Sequence, residues 1–413
     1  MTLLIKNARL ETGFLFENNL VIGTNTDCFD LLIEEGKIVA IDETISSVDA
    51  ETIDVQGQLL LPSFREMHIH IDKTYFSGEW IAPTPITQGI FTRIQEEIEL
   101  LPLQLPVAKE RATKMVEHLI ANGHTHIRSH CNVDPQIGTE HIKITKEVLE
   151  SFADQITYEI VAFPQHGLLR SNVENLMREA MELGATHVGG VDPAIVDRET
   201  RRSLELIVEI AKTYDKQIDI HLHDRDLLGS LEIQTLMDII EETGFTNGVT
   251  ISHAIALSDL TEAQLEPLVK RMASFNIDVT STIPIGQNRS TIPVNYLHDN
   301  GVNVSIGHDS LTDHWSPFGS GDTIEKLNTL AERFKYIDER SLGQAWKYAA
   351  AGITPLDVDG NQVWPKVGDN ANFLVIDGVS SAHVVARRCP ITTVISKGKV
   401  IHQNPTELKG ALR

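Results

Sequence analysis

Cysteine is scarce in this chain. Only Cys28, Cys131 and Cys389 occur in 413 residues, far apart and without a CxxC pair. That excludes a disulfide frame and a thiolate zinc site, and it fits reduced thiols in a cytoplasmic protein. Positive charge is short as well: 35 Lys and Arg stand against 58 Asp and Glu, a formal net charge of −23. So acidic a chain repels nucleic acid and anionic membrane, and neither is expected as a partner. No apolar run approaches the roughly 20 residues that span a bilayer. The opening MTLLIKNARLETG has too short an apolar run, and no small-residue cleavage site, for a secretory leader. Internal repeats and low-complexity segments are absent.

What is present is an alternation. Short apolar strands (HIHI, HIRSHC, ITYEIVAF, HVGGV, IDIHLH, VTISHA, DVTSTIP and NVSIGHD) are separated by helical patterns or long loops. The helical patterns cover 107–121, 139–152, 172–183, 198–214, 230–242 and 259–274. Ser171 and Glu174 read as a capping box that opens one helix, and Asn122-Gly123 as the end of another. About eight strands of this kind predict a (β/α)8 barrel over residues 62–361. A doubly wound open sheet is the alternative, disfavoured because no glycine-rich phosphate turn follows the first strand. Both ends of the chain are β-like, with hairpin turns at Gly36 and in the KGK of residues 397–399. Segments 1–61 and 362–413 are expected to pair into a small β-sandwich.

Polar residues gather where these strands end. His68 and His70 in MHIHID share one face of a strand, because side chains alternate with period two. Strand three runs into Gln165, strand five ends in His221 and Asp224, strand six in His253 and strand eight in Asp309. Each alone reads more simply as a packed histidine or a turn cap. Together, at the catalytic face of a barrel whose core prefers branched apolar residues, they predict a site for one divalent metal ion. Imidazoles with a carboxylate suit zinc first and iron second. Such an ion activates water at neutral pH, and Asp309 is placed to take the water's proton.

The stretches MHIHIDK, RSHCNVD, VAFPQHG, VGGVDPA, IDIHLHD, TISHA and GHDSLTDHWSPFG resemble the amidohydrolase superfamily, and within it the cytosine deaminase-like group. HLHD, VGGVDPA and the tryptophan-bearing loop look more like the N-isopropylammelide branch than cytosine deaminase, where Glu is expected at Asp224. The resemblance implies His68, His70, His221 and Asp309 as metal ligands. It implies His253 against the hydrolytic water or oxyanion, Asp224 as proton shuttle, and Gln165 and Trp315 near the substrate. Lys73 departs from the cytosine deaminase pattern. It reads equally as a surface lysine or as a cation at the pocket mouth that meets a substrate oxyanion. HVGGV carries no lysine to bridge two metals, which favours a mononuclear site over the dihydroorotase type.

The expected activity is therefore hydrolytic removal of an amino or alkylamino group from a small pyrimidine- or triazine-like heterocycle by metal-activated water. The first rival is hydrolysis of another non-peptide C–N bond, in an acyclic amide or lactam, on the same scaffold. The second is a non-catalytic metal-binding barrel. A nucleic-acid-editing zinc deaminase would need a Cys-rich motif that is missing. Trp80, Ile90 and Phe91 fall in what reads as a long loop, a candidate lid or contact surface, so a homo-oligomer is left open.

Overall fold

A computed structural model describes residues 2–46, 49–286 and 290–404. Eight short strands form its centre: β1 Phe64–Ile69, β2 His124–Asn132, β3 Thr157–Phe163, β4 His187–Val191, β5 Gln217–His221, β6 Val249–Ser252, β7 Ile277–Ser281 and β8 Val304–Ile306. Each pairs in parallel with the next in chain order. The ring closes where the chain leaving β8 meets β1. There Ile69 and Asp309 bridge in parallel, and the Asp309 N–H donates to the His68 carbonyl at 2.7 Å. This is a (β/α)8 barrel. Its strands are buried along nearly their whole length, which is why they read as short apolar runs without a polar face.

The chain ends build a second sheet of eight strands. Leu59–Pro62 runs antiparallel to Phe373–Ile376, so the two terminal segments do pair. Leu3, Ile5, Leu31, Ile33, Trp364 and Phe373 belong to a core of its own. The hairpin turns fall where glycine marked them. Glu35-Gly36 and Lys397-Gly398 each place two consecutive residues at positive φ, the backbone that a tight two-residue turn demands.

Five of the expected helices appear within four residues of their predicted bounds: Glu140–Ser151, Glu174–Glu182, Thr200–Thr213, Asp226–Thr243 and Glu262–Ser274. Three readings change. The helix expected from residue 107 begins at Ile90 and runs 32 residues through Pro102 and Pro106. Each proline removes a backbone donor, but the buried series Arg93, Ile94, Glu97, Leu101, Gln104, Ala108 keeps helical spacing and holds that face against the barrel. Ile90 and Phe91 therefore lie in a first helical turn and pack beside Phe163 and Val191, whereas Trp80 is 75% exposed. The Ser171 capping box does not form. Val173 is the N-cap, and Ser171 instead bonds the Gly167 carbonyl. Among the described residues no helix is long and apolar enough to cross a membrane.

Ring closure leaves no space at Gly307. A Cβ there would stand 2.6 Å from the His68 Cβ and 2.8 Å from the His68 backbone N and O. Gly307→Ala is expected to destabilise the fold by about 1–3 kcal/mol, read as a lower urea midpoint with unchanged slope.

Candidate active site

The barrel interior is unusually polar. Residues 126, 128, 130 and 132 of β2 alternate onto one face, and there Arg128 reaches Asp219 of β5 at 2.8 Å and Thr250 of β6 at 3.0 Å. Asp219 is fully buried. Its other oxygen accepts from Ser252 at 2.7 Å, and Ser252 Oγ lies 2.8 Å from His68 Nδ1. Since the serine proton is spent on Asp219, His68 donates at Nδ1 and turns Nε2 towards the site. A supporting group that fixes an imidazole's tautomer in this way is the usual partner of a metal-ligating histidine.

Above this layer the imidazoles converge. Donor atoms of His68, His70 and His221 lie within 4.8 Å of one another, as do those of His68, His253 and Asp309. Asp309 Oδ1 is 3.4 Å from His70 Nε2 and 3.6 Å from His68 Nε2. His68 Nε2, both nitrogens of His221 and His253 Nε2 are buried and make no hydrogen bond among the described residues. Burial, reinforced by neighbouring imidazoles, keeps His221 and His253 far below the usual histidine range and therefore neutral. Burial opposes the Asp309 charge, yet His68 and His70 hold its carboxyl well below the ordinary range. Orphaned buried nitrogens are costly. Neutral donors grouped around a carboxylate are what a divalent cation requires, so these residues fit one. Asp192, His253 and Asp309 have φ of 35°, 69° and 62°. Such backbone costs about 1–3 kcal/mol per residue and concentrates at functional sites.

Two carboxyl systems flank the centre. Asp224, after β5, is raised to about 6 by burial and then by the charge of Asp192. Asp192 itself accepts from the His223 backbone N at 2.6 Å and lies 2.9 Å from its Nδ1. On the other flank Lys73 is buried, so the surface reading of this lysine fails. Its ammonium donates to Glu97 at 3.1 Å, Asn132 at 3.1 Å and Gln165 at 3.3 Å. Glu97, on the long helix, also receives His166 at 3.0 Å, His314 at 2.8 Å, Asn132 at 3.0 Å and the Trp315 indole at 2.8 Å. Burial works against the Glu97 charge, but Lys73 and these donors hold it well below the usual range.

A model described as the amidohydrolase family matches residues 155–402, more than half of the chain. The chain belongs to the amidohydrolase family. It is 29% identical over 401 residues to the N-isopropylammelide isopropyl amidohydrolase of Pseudomonas sp. (strain ADP), covering 94% of this chain and 96% of that one. The crystal structure of N-isopropylammelide isopropylaminohydrolase from Burkholderia multivorans superposes with a TM-score of 0.85 at 27% identity and 98% coverage of both chains. That of 5-methylcytosine deaminase from Klebsiella pneumoniae, liganded with 5-fluorocytosine, gives 0.78 at 26% identity and 98% coverage of both.

In this amidohydrolase the residues singled out from the sequence fall into two groups. His68, His70, His221, His253 and Asp309 converge around His68, with Asp224 just beyond His221 at the end of the same strand. Lys73, Gln165 and Trp315 meet at Glu97. Sequence reading passed over Glu97, Asp219 and His130, whose ring lies 4.0 Å from that of His68. His130 carried a signal: with His126, Arg128 and Asn132 it makes a polar column at period two on a fully buried strand. Glu97 carried none, since it looks like any acidic residue of an amphipathic helix. Glu97→Gln leaves the Lys73 charge buried without its counter-charge and is expected to cost about 3–5 kcal/mol in urea unfolding. The Lys73→Met/Glu97→Gln double variant should lose less than the sum of the single losses, by a coupling of about 0.5–3 kcal/mol.

Proposed function

We propose that this amidohydrolase hydrolytically removes an amino or alkylamino group from a ring carbon of a pyrimidine- or triazine-like heterocycle, with one divalent cation held by His68, His70, His221 and Asp309. The observation that carries the reading is the convergence of unpartnered, neutral imidazoles on Asp309, beside a carboxyl at Asp224 raised to about 6. The donor set favours zinc first and iron second. When bound, such a cation lowers the pKa of water towards neutrality and acts as a Lewis acid.

The protein's own groups do the rest. Asp309 accepts the proton of the attacking water, and His253 at 4.0 Å from it orients that water and the oxyanion that develops. Asp224, protonated, donates to the ring nitrogen next to the reacting carbon, which makes that carbon more electrophilic. The proton then passes to the departing ammonia or amine. Gln165 gives the ring its orientation. Lys73 can only donate, so Gln165 turns Oε1 towards it and keeps Nε2 for an acceptor on the substrate, a ring carbonyl or nitrogen. Trp315, tied by its indole N–H to Glu97, supplies a flat wall. The N-isopropylammelide and 5-methylcytosine enzymes act on rings of these two kinds, which supports the substrate class.

The assay is release of ammonia or amine from a panel of pyrimidines, triazines and pterins, with metal content measured on the same preparation. Turnover of at least one ring is expected, with about one equivalent of metal per chain. Asp309→Ala should lower kcat/KM by about 10²–10⁴-fold, and His221→Ala should also lower the bound metal. An Asp309→Ala variant of full activity would refute the mechanism.

A further inference from the structure

Glu232 has no part in the reaction just described, yet it is buried completely beside the site. It lies on the inner face of helix Asp226–Thr243. Its Oε1 accepts from the Ala194 backbone N at 2.8 Å, and its Oε2 is buried with no hydrogen-bond donor among the described residues. Asp224 repeats the pattern: its Oδ2 is buried and likewise without a donor. The two carboxyls lie within hydrogen-bond reach of each other. Two ionised carboxylates present only lone pairs, so a buried contact between them requires a proton.

The contact is built into the backbone. At Gly229, in the first turns of the helix, a Cβ would stand 2.2 Å from the Asp224 carbonyl and 2.8 Å from the Ala256 Cβ. Only glycine lets the helix come so close behind Asp224. The other charged groups nearby are accounted for: Asp192 is engaged by His223, and Arg225 points away to Asp259 at 2.9 Å.

We propose that Asp224 and Glu232 work as one acid that carries a single proton through neutral pH, Asp224 being the member that touches substrate and Glu232 the positioning residue behind it. This rests on the hydrolytic deamination reading above. The pair gives its proton to the ring nitrogen and becomes doubly ionised. Asp309 passes the first proton of the water to the departing amine, and the second, lost from the added hydroxyl as the C=O bond forms and the C–N bond breaks, returns to the pair, which is thereby restored to its starting state. Burial raises Glu232 to about 8 and Asp224 to about 6, and the Asp192 charge adds to both. The two carboxyls titrate as one coupled group, so the pair keeps its proton until the pH climbs through about 8.

Infrared difference spectra of the protein as purified, wild type minus Glu232→Gln, test the pair without any turnover. A protonated-carboxyl band at pH 7 is expected in wild type, lost as the pH passes about 8 and absent from Glu232→Gln. Glu11, raised to about 7 by burial, contributes a band that cancels in the difference. If Glu232→Gln does not fold, Asp224→Asn should abolish the same band. With a substrate from the panel, the alkaline limb of kcat/KM should move from about 8 in wild type to lower pH in Glu232→Gln, where Asp224 no longer shares its proton, and KM should hold. A difference spectrum lacking the band overturns the pair, and so does an alkaline limb that stays near 8. Failure of every ring in the panel would count against the substrate reading alone, because the infrared result stands without it.

Discussion

The Arg128–Asp219 ion pair occupies the middle of the barrel, where most proteins of this architecture pack branched aliphatic side chains. A buried carboxylate is tolerable only when it is paired and its remaining lone pairs are satisfied. Here Arg128 meets one oxygen and Ser252 the other. Because Ser252 spends its proton on Asp219, His68 must donate at Nδ1 and turn Nε2 towards the mouth of the barrel. Thr250 completes the Arg128 contacts. Strands β2, β5 and β6 are thus tied to β1 by polar contacts that run through the interior as well as by the ladder between neighbours.

Glu97 meets the same constraint at one side of the mouth. Lys73, next to the HIH pair in sequence, would be an unpaired buried ammonium without it. The long helix passes two prolines and reaches back over the barrel, and so delivers the counter-charge. Gln165, Asn132, His166, His314 and Trp315 all orient on that one ion pair. The wall where a ring would lie is thereby fixed before any ligand arrives, which is how binding geometry is held within tolerance. On the opposite side Asp192, Asp224 and Glu232 gather negative charge around a carboxyl that stays partly protonated. An ion-paired wall and a wall of carboxyls thus face each other across the imidazoles.

How much of this could be read in advance differs by element. The eight barrel strands, the five helices and the glycine turns follow from local signals: apolar runs, helical spacing and residues that accept positive φ. Pro102 and Pro106 look like a stop for the helix that starts at Ile90, and only packing against the barrel outweighs them. The Ser171-x-x-Glu174 pattern was present, but the chain enters that helix two residues later, through Val173. Ile90 and Phe91 resemble loop residues for the same reason, since the prolines separate them from the clear helical pattern.

The amino-acid sequence by itself determined the alternation of strand and helix, the chemical type of each residue at the strand ends, and so the presence of imidazoles and carboxylates on one face of a barrel. Those are local properties, set by side-chain period and backbone preference. Tertiary structure alone decided which of them touch. Lys73 became a buried ion-pair partner because Glu97 comes within 3.1 Å of it from 24 residues away. Asp224 became half of a carboxyl pair because Gly229 lets a helix press against its backbone. Charge states inside a barrel depend on burial and on neighbours brought from distant segments, and neither is written in the spacing of the residues themselves.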